Sequence, residues 1–188
     1  MNIGFDLDKV FINYPFFLPD FVIDKAYKIR FDNNIIYRIP SKPEQFLRLL
    51  LHYPLFRQPI KKNIEFVKNI SKNNAHNYFL ISGRFSFLKK RTDEIIKKYE
   101  LDKVFKKIFI NFHNEQPHVF KSNLMKQLQI DKYVDDDLYL LRYASKQNPK
   151  TKFFWLNEKV SMPLKRNLFA IKNISEIFTP HQNGAGFK

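Results

Sequence analysis

The stretch Ile3-Gly4-Phe5-Asp6-Leu7-Asp8-Lys9-Val10 begins the chain with an apolar run that passes directly into two aspartates. A short, largely apolar run of this kind is typical of a buried β-strand, which we place over Asn2 to Phe5. Side chains alternate with a period of two along an extended chain, so Asp6 and Asp8 are expected on one side, where both carboxylates can approach one point. The sequence therefore predicts that the chemistry lies at the end of the first strand.

Strands that end in polar residues recur further along the chain. An apolar run over 78–81 is followed by Ser82-Gly83-Arg84, and a very short strand over 132–134 is followed by Asp135-Asp136-Asp137. Further strands are predicted over 107–112, 152–156 and 168–171, and helices over 45–52, 60–71, 87–99 and 121–129. This alternation predicts an α/β fold: a three-layer, Rossmann-like, mostly parallel sheet with helices on both faces. The ligand site of such a sheet lies beyond the carboxyl ends of its strands.

One segment interrupts the alternation. Between residues 11 and 59 prolines recur, and Pro43-Glu44 is a helix-start signal ahead of a single helix. We therefore predict a core domain formed by residues 1–10 and 60–178, a small, mainly helical cap insertion over 11–59, and a loose tail over 179–188.

Composition limits the class of protein. A chain of 188 residues with 44% hydrophobic and 16% aromatic residues can form one domain with a sizeable core. It has no cysteine, which excludes disulfides, thiol catalysis and thiolate metal sites and favours the cytoplasm as its location. No export signal is expected at the N-terminus, and the apolar runs fall far short of the ~18 residues of a membrane span, so we expect no membrane partner.

The charge points to anionic partners. Lys and Arg number 33 against 18 Asp and Glu, and the formal net charge is +15. Such a field attracts phosphate esters and nucleic acids. The abundance of Lys, Asn, Ile and Phe is also typical of an AT-rich genome, and the basic residues are dispersed along the chain. A nucleic-acid partner is therefore considered but not favoured over a small phosphorylated substrate.

The polar clusters together indicate phosphoryl transfer. Asp6 and Asp8, Ser82-Gly83 and the pair Asp135-Asp136 each follow a predicted strand, and Lys121 lies fourteen positions before Asp135. Neighbouring carboxylates raise one another's pKa unless a cation neutralises them. Magnesium fits such a site best, because it prefers oxygen ligands and needs only a few carboxylates plus a substrate phosphate.

These motifs resemble those of the haloacid dehalogenase-like superfamily, whose members mostly hydrolyse phosphate esters through an aspartyl-phosphate intermediate. The resemblance covers residues 3 to about 141. Its first motif, a hydrophobic strand followed by Asp-x-Asp-x-Thr or Val, is matched by Ile3 to Val10. The strand ending in Ser82, the helical Lys121 and the acidic pair Asp135-Asp136 match the second, third and fourth motifs.

The resemblance implies a role for each matched residue. Asp6 would be the nucleophile and Asp8 the acid and base; Ser82, the backbone N–H of Gly83 and Lys121 would bind the phosphoryl oxygens. Magnesium would be held by Asp6, the backbone carbonyl of Asp8 and Asp135. Asp136 would be a further ligand or a neighbour of the ligands, and Asp137 is the weakest candidate of the three.

The resemblance implies a magnesium-dependent phosphomonoester hydrolase for a small phosphorylated metabolite, with a nucleotide as one candidate. Two alternatives stay open: a phosphatase for nucleic-acid ends, and a binding protein that keeps the fold without turnover. Many relatives have glycine where this chain has Lys9, whose cation could bind an anionic substrate or project into solvent. The insertion would act as a cap, and its aromatic and basic residues would either contact the substrate or form the cap's own core.

Overall fold

A computed structural model describes residues 1–17, 28–31, 34–73, 75–157, 164 and 166–179, with the backbone alone described for 28–31 and 34–35. The strands are β1 Asn2–Phe5, β2 Lys28–Phe31, β3 Asn34–Tyr37, β4 Asn77–Ser82, β5 Lys107–Ile110, β6 Lys132–Asp135, β7 Lys152–Leu156 and β8 Leu168–Ile171. The α-helices are α1 Lys42–Leu51, α2 Lys61–Ser71, α3 Lys89–Lys98, α4 Pro117–Gln127 and α5 Leu138–Gln147. Short 3-10 helices are Ser86–Leu88, Leu101–Lys103 and Ile174–Phe178.

Six strands form one parallel sheet in the order β5-β4-β1-β6-β7-β8. The chain builds outward from β1 through β4 to β5, then returns to the other side of β1 and continues through β6 to β8. Strand order therefore reverses at β1. In open sheets of this type the crevice for a ligand lies at the carboxyl ends of the strands beside such a reversal.

Both faces of the sheet are buried, because successive side chains point to opposite faces and both sets are apolar. On β4, Leu80 packs into an apolar cluster with Ile64 of α2 and Ile95 of α3. The neighbouring Ile81 packs into a second cluster with Leu124 of α4, and α5 belongs to that same cluster. Helices thus cover both faces, as parallel sheets require. The predicted three-layer α/β fold is confirmed.

The structure adds detail to the predicted elements. Strands β7 and β8 have the predicted bounds, whereas α4 begins at Pro117, four residues before its predicted start, because proline suits the first turn of a helix. The insertion contains the predicted helix as α1, and also the antiparallel pair β2–β3, which the sequence did not reveal because such short strands leave little periodic signal. Residues 180–188 of the predicted loose tail lie outside the described residues.

The helices are short. The longest have 11 residues, and within the described ranges no helix has both the length and the apolar content needed to traverse a bilayer.

Gly4 is required at the centre of the sheet. It pairs with Tyr133 across β1 and β6, and a Cβ atom at Gly4 would lie 2.8 Å from Cδ2 of the Tyr133 ring. We expect Gly4→Ala to lower the free energy of unfolding by about 1–3 kcal/mol, since an added methyl group overpacks this buried contact. Urea unfolding measures the loss. In a Tyr133→Leu background the same substitution should cost less, and an equal cost would contradict the ring contact as its cause.

Candidate active site

Three carboxylates meet at the carboxyl ends of β1 and β6. The backbone N–H of Asp6 donates to the carbonyl of Val134 at 2.9 Å, which extends the β1–β6 ladder by one residue. That register sets Asp6 beside Asp135, the last residue of β6, and Asp136 follows directly. One carboxylate oxygen from each of Asp6, Asp135 and Asp136 lies within 4.8 Å of the others. These three side chains could therefore hold one metal ion.

Lys121 joins two of these carboxylates from the side of helix α4. Its Nζ donates to Oδ1 of Asp6 and to Oδ2 of Asp135, each at 2.7 Å. All three side chains are buried. Helix α4 comes this close because Gly83 has no side chain: a Cβ atom there would lie 3.0 Å from Cβ of Pro117. The glycine after β4 thus allows the lysine on α4 to reach the end of β1.

Burial and charge act in opposite directions on this cluster. Burial raises the pKa of Asp6 to about 6, although the Lys121 ammonium opposes the rise, and the Asp135 carboxylate adds to it. Burial alone would lower the pKa of Lys121, but Asp135 and Asp6 hold it well above its ordinary value. Lys121 is therefore a permanent cation at neutral pH. The Asp6 carboxylate has one strong partner, Lys121, and burial destabilises its charged form.

The loop after β6 holds Asp135 and Asp136 in place. Oδ1 of Asp135 accepts from the backbone N–H of Asp137 at 2.9 Å, and Oδ2 accepts from the Tyr133 hydroxyl at 3.2 Å. The indole N–H of Trp155 donates to the Asp136 carbonyl at 2.9 Å. Asp137 itself caps helix α5, since its Oδ1 accepts from two backbone N–H groups of the first turn. The sequence ranked Asp137 last as a metal ligand, and the structure gives it this capping position.

The insertion contacts the site through Tyr37 at the end of β3. The Tyr37 hydroxyl donates to Oδ2 of Asp137 at 2.7 Å. Its backbone N–H donates to Oε1 of Gln116 at 2.9 Å, and its carbonyl accepts from Nε2 of Gln116 at 3.2 Å. A core residue thus pairs with the insertion in the manner of a neighbouring strand. These contacts place the insertion against the loop that carries the acidic residues.

Asp8 faces the same pocket but has different partners. It lies in a turn in which the N–H of Lys9 donates to the Ile12 carbonyl at 2.8 Å, so the chain has left the extended conformation that would set Asp8 beside Asp6 by alternation. Its Oδ2 accepts from Nε of Arg84 at 2.8 Å, and its Oδ1 accepts from NH2 of Arg84 at 2.7 Å. Oδ1 also accepts from NH2 of Arg57. The Asp8 carboxylate is therefore held by two arginines, apart from the three-carboxylate cluster.

Sequence reasoning missed these arginines as partners of Asp8. Arg84 directly follows Ser82-Gly83, so its position after β4 was the available signal. Arg57 lies 49 residues from Asp8 in a segment without regular periodicity, and nothing in the sequence connects the two.

Most of the predicted site residues line one pocket: Asp6, Asp8, Gly83, Lys121, Asp135 and Asp136. Ser82 is buried at the end of β4, and its Oγ accepts from the backbone N–H of Arg84 at 3.4 Å. The phosphate-binding role of Ser82 and the contact of a metal with the Asp8 carbonyl stay predictions.

Comparisons with known proteins add information on the fold. No protein-family model matches the sequence, and no curated protein matches it. Similar solved structures include a HAD-superfamily hydrolase from Ehrlichia chaffeensis, at 14% identity and a TM-score of 0.55 over 94% of this chain and 93% of that one. A protein assigned as a beta-phosphoglucomutase from Thermotoga maritima is 13% identical, with a TM-score of 0.56 over 94% and 95%.

A third similar structure contains ligands. It is a HAD family enzyme from Bacteroides thetaiotaomicron, solved as an aspartate-to-alanine variant in complex with magnesium and inorganic phosphate. It is 12% identical, with a TM-score of 0.53 over 85% of this chain and 95% of that one. Identities this low establish a shared fold, and the reaction has to be argued from the site.

Proposed function

We propose that this chain, which has the haloacid dehalogenase-like fold, is a magnesium-dependent phosphomonoester hydrolase that works through an aspartyl-phosphate intermediate. Its substrate would be a small phosphorylated metabolite, with a nucleotide as one candidate. The observation that carries the proposal is the meeting of Asp6, Asp135 and Asp136 with the buried Lys121 in one pocket.

The residues of the cluster fit magnesium. Three carboxylates offer hard oxygen ligands, and Lys121 supplies one positive charge against them, so a divalent cation would offset the negative charge that remains. Asp6, Asp135 and Asp136 would hold the ion. When bound, magnesium would offset the negative charge of the transferring phosphoryl group.

Asp6 would act as the nucleophile. Its carboxylate oxygen would form a bond to phosphorus while the ester oxygen departs, and this exchange divides one difficult displacement into two easier steps. Asp8 would give a proton to the departing oxygen, then take one from the water that hydrolyses the acyl phosphate. Arg84 holds the Asp8 carboxylate in the pocket through both of its oxygens. The products are the alcohol, inorganic phosphate and the regenerated Asp6 carboxylate.

The phosphoryl oxygens would lie near Lys121 and the turn after β4. A cation already in position at the nucleophile stabilises developing negative charge without further reorganisation. The backbone N–H of Gly83 and the Ser82 hydroxyl are the remaining proposed donors, at the end of the strand adjacent to β1.

An assay with an aryl phosphate tests the proposal. We expect hydrolysis that requires magnesium and stops with a chelator. Asp135→Asn should raise the magnesium concentration for half-maximal activity by about tenfold or more, because it removes a ligand charge from the site. Asp131→Asn is the matched control, since Asp131 is exposed at the opposite end of β6. An unchanged magnesium requirement in Asp135→Asn would contradict the assigned metal site.

Two results would favour the alternatives. The net charge of +15 motivates the alternative of a phosphatase for nucleic-acid ends, and for such an enzyme the KM for a phosphorylated oligonucleotide should rise steeply with salt. Magnesium binding without turnover of any phosphate ester would instead favour a binding protein that keeps the fold.

A further inference from the structure

Lys9, next to Asp8, has a backbone conformation that suits glycine. Its φ of 58° lies in the left-handed region, where a side chain is strained against the backbone. Strained positions persist when the surrounding structure and the function require them. The lysine side chain at this position therefore calls for an explanation other than backbone geometry.

The Lys9 side chain lies beside Tyr14, which is a residue of the pocket wall. Its Nζ lies 4.8 Å from the centroid of the Tyr14 ring, and the guanidinium carbon of Arg57 lies 5.1 Å from the same centroid. Tyr14 lines the pocket together with Asp8 and Asp6. Two cations thus flank one aromatic ring beside the acid. We call Lys9, Tyr14 and Arg57 the cationic corner.

Arg57 has more donors than its partners use. It is 1% exposed, and it forms an ion pair with Asp8, a carboxylate that already accepts two hydrogen bonds from Arg84. Nε of Arg57 is buried and has no hydrogen-bond partner among the described residues. A buried donor without a partner is costly, and an acceptor on a ligand would offset that cost.

Two guanidinium groups also meet at one carboxylate. Arg57 and Arg84 both pair with Asp8, and the third nitrogen of Arg84 donates to the neutral hydroxyl of Thr92 at 3.2 Å. Burial lowers the pKa of Arg57 well below its usual range and the nearby Arg84 lowers it further, although the charges of Asp136 and Asp6 oppose the shift. The surroundings of Arg57 thus disfavour the charged form of its guanidinium, and an anion bound beside Arg57 would stabilise that form.

We propose that the cationic corner binds a second anionic group of the substrate, a carboxylate or a phosphate, beside the phosphoryl group that is transferred to Asp6. The inference rests on the proposed function, because it places the reacting phosphoryl group at Asp6. It names the substrate class as phosphomonoesters that carry a second anion a few bonds from the ester oxygen. Arg57 and Lys9 are then specificity-determining residues.

Three compounds that differ only in the second group test this. Phosphoglycolate carries a carboxylate, ethylene glycol bisphosphate carries a phosphate, and 2-hydroxyethyl phosphate carries neither. We expect kcat/KM for at least one of the two anionic compounds to exceed that for the neutral one by tenfold or more. Of these two compounds, the one with the higher kcat/KM identifies the anion that the cationic corner binds. Equal kcat/KM for all three compounds would overturn the proposal.

Lys9→Gly separates binding from folding. It should reduce the preference for the anionic compound at least threefold, while the melting temperature stays equal or rises because the strain is relieved. Gln129→Gly is the matched control, since Gln129 also has a positive φ of 49° but is exposed beyond the opposite end of the sheet. The Gln129→Gly variant should keep the wild-type preference for the anionic compound. Lys9→Gly with an undiminished preference would refute the role of the lysine.

Arg57→Gln should lose the preference as well, and Lys9→Gly keeps the test informative if Arg57→Gln fails to fold. The three compounds are also titrated calorimetrically into the Asp6→Asn variant with magnesium, where turnover is not needed. If the Asp6→Asn variant binds an anionic compound preferentially but the wild type hydrolyses none of the three, the proposed hydrolase is refuted and the cationic corner is supported. If the wild type hydrolyses the three compounds with equal kcat/KM, the cationic corner is refuted and the proposed hydrolase is not.

Discussion

Asp6→Asn is expected to lower the rate of aryl phosphate hydrolysis by about 10³-fold or more. The amide is close in size to the carboxylate but is not a nucleophile, so the covalent step is lost while the pocket keeps its shape. Steady-state kinetics measure the loss, with the exposed Asp102→Asn as a control that should retain activity. Activity in Asp6→Asn within tenfold of the wild type would refute the aspartyl-phosphate mechanism.

The same variant should retain its stability, which distinguishes loss of chemistry from loss of fold. The pKa of Asp6 is raised from 3.8 to about 6 by burial, so the folded protein binds a proton at Asp6 more tightly than the unfolded chain does. Stability therefore falls as pH rises from about 4 to 6, and the cost above pH 6 is about 3 kcal/mol for this group.

Asparagine removes that cost but also removes one partner of Lys121. We expect a free energy of unfolding at pH 7 equal to or above that of the wild type, and a weaker pH dependence between pH 4 and 6. Urea unfolding at several pH values measures both. A large loss of stability at pH 7 would show that the Asp6–Lys121 contact outweighs the cost of burial.

Lys121→Met is expected to lower the free energy of unfolding by about 3–5 kcal/mol, besides abolishing activity. The ammonium is the shared partner of Asp6 and Asp135, at 2.7 Å from each, and all three groups are buried. Removing it leaves two buried carboxylates facing each other. Lys126→Met, an exposed substitution on the same helix, should change stability by less than about 0.5 kcal/mol.

Magnesium should restore part of the stability of Lys121→Met. An ion that binds only the folded state stabilises it by about 2.7 kcal/mol at one hundred times its Kd. Without the lysine the site is more negative, so the ion should stabilise the variant more than the wild type. Urea unfolding with and without magnesium measures the difference. Equal stabilisation of both proteins would contradict the coupling between Lys121 and the metal site.

The sequence order of the six strands of the large sheet and of helices α1 to α4 was predictable because apolar periodicity is a local property, whereas the β2–β3 pair and α5 were not predicted. The apolar runs of β1, β4 and β6 are each buried from both sides, and the residue directly after each run is polar: Asp6, Ser82 and Asp135. In a parallel sheet those ends share one edge, so the meeting of Asp6 with Asp135 followed from the fold class. Lys121 joined them because α4 packs beside β6 and Gly83 leaves room for it.

What the sequence alone determined is the sheet and the set of side chains at its carboxyl edge, since both depend on patterns a few residues long. What only the tertiary structure decided is how those side chains are paired. Asp8 meets Arg57 and Arg84, which lie 49 and 76 residues away, and Tyr37 of the insertion meets Asp137, 100 residues away. Contacts of that kind depend on how an irregular segment folds back onto the core, and no local periodicity encodes them.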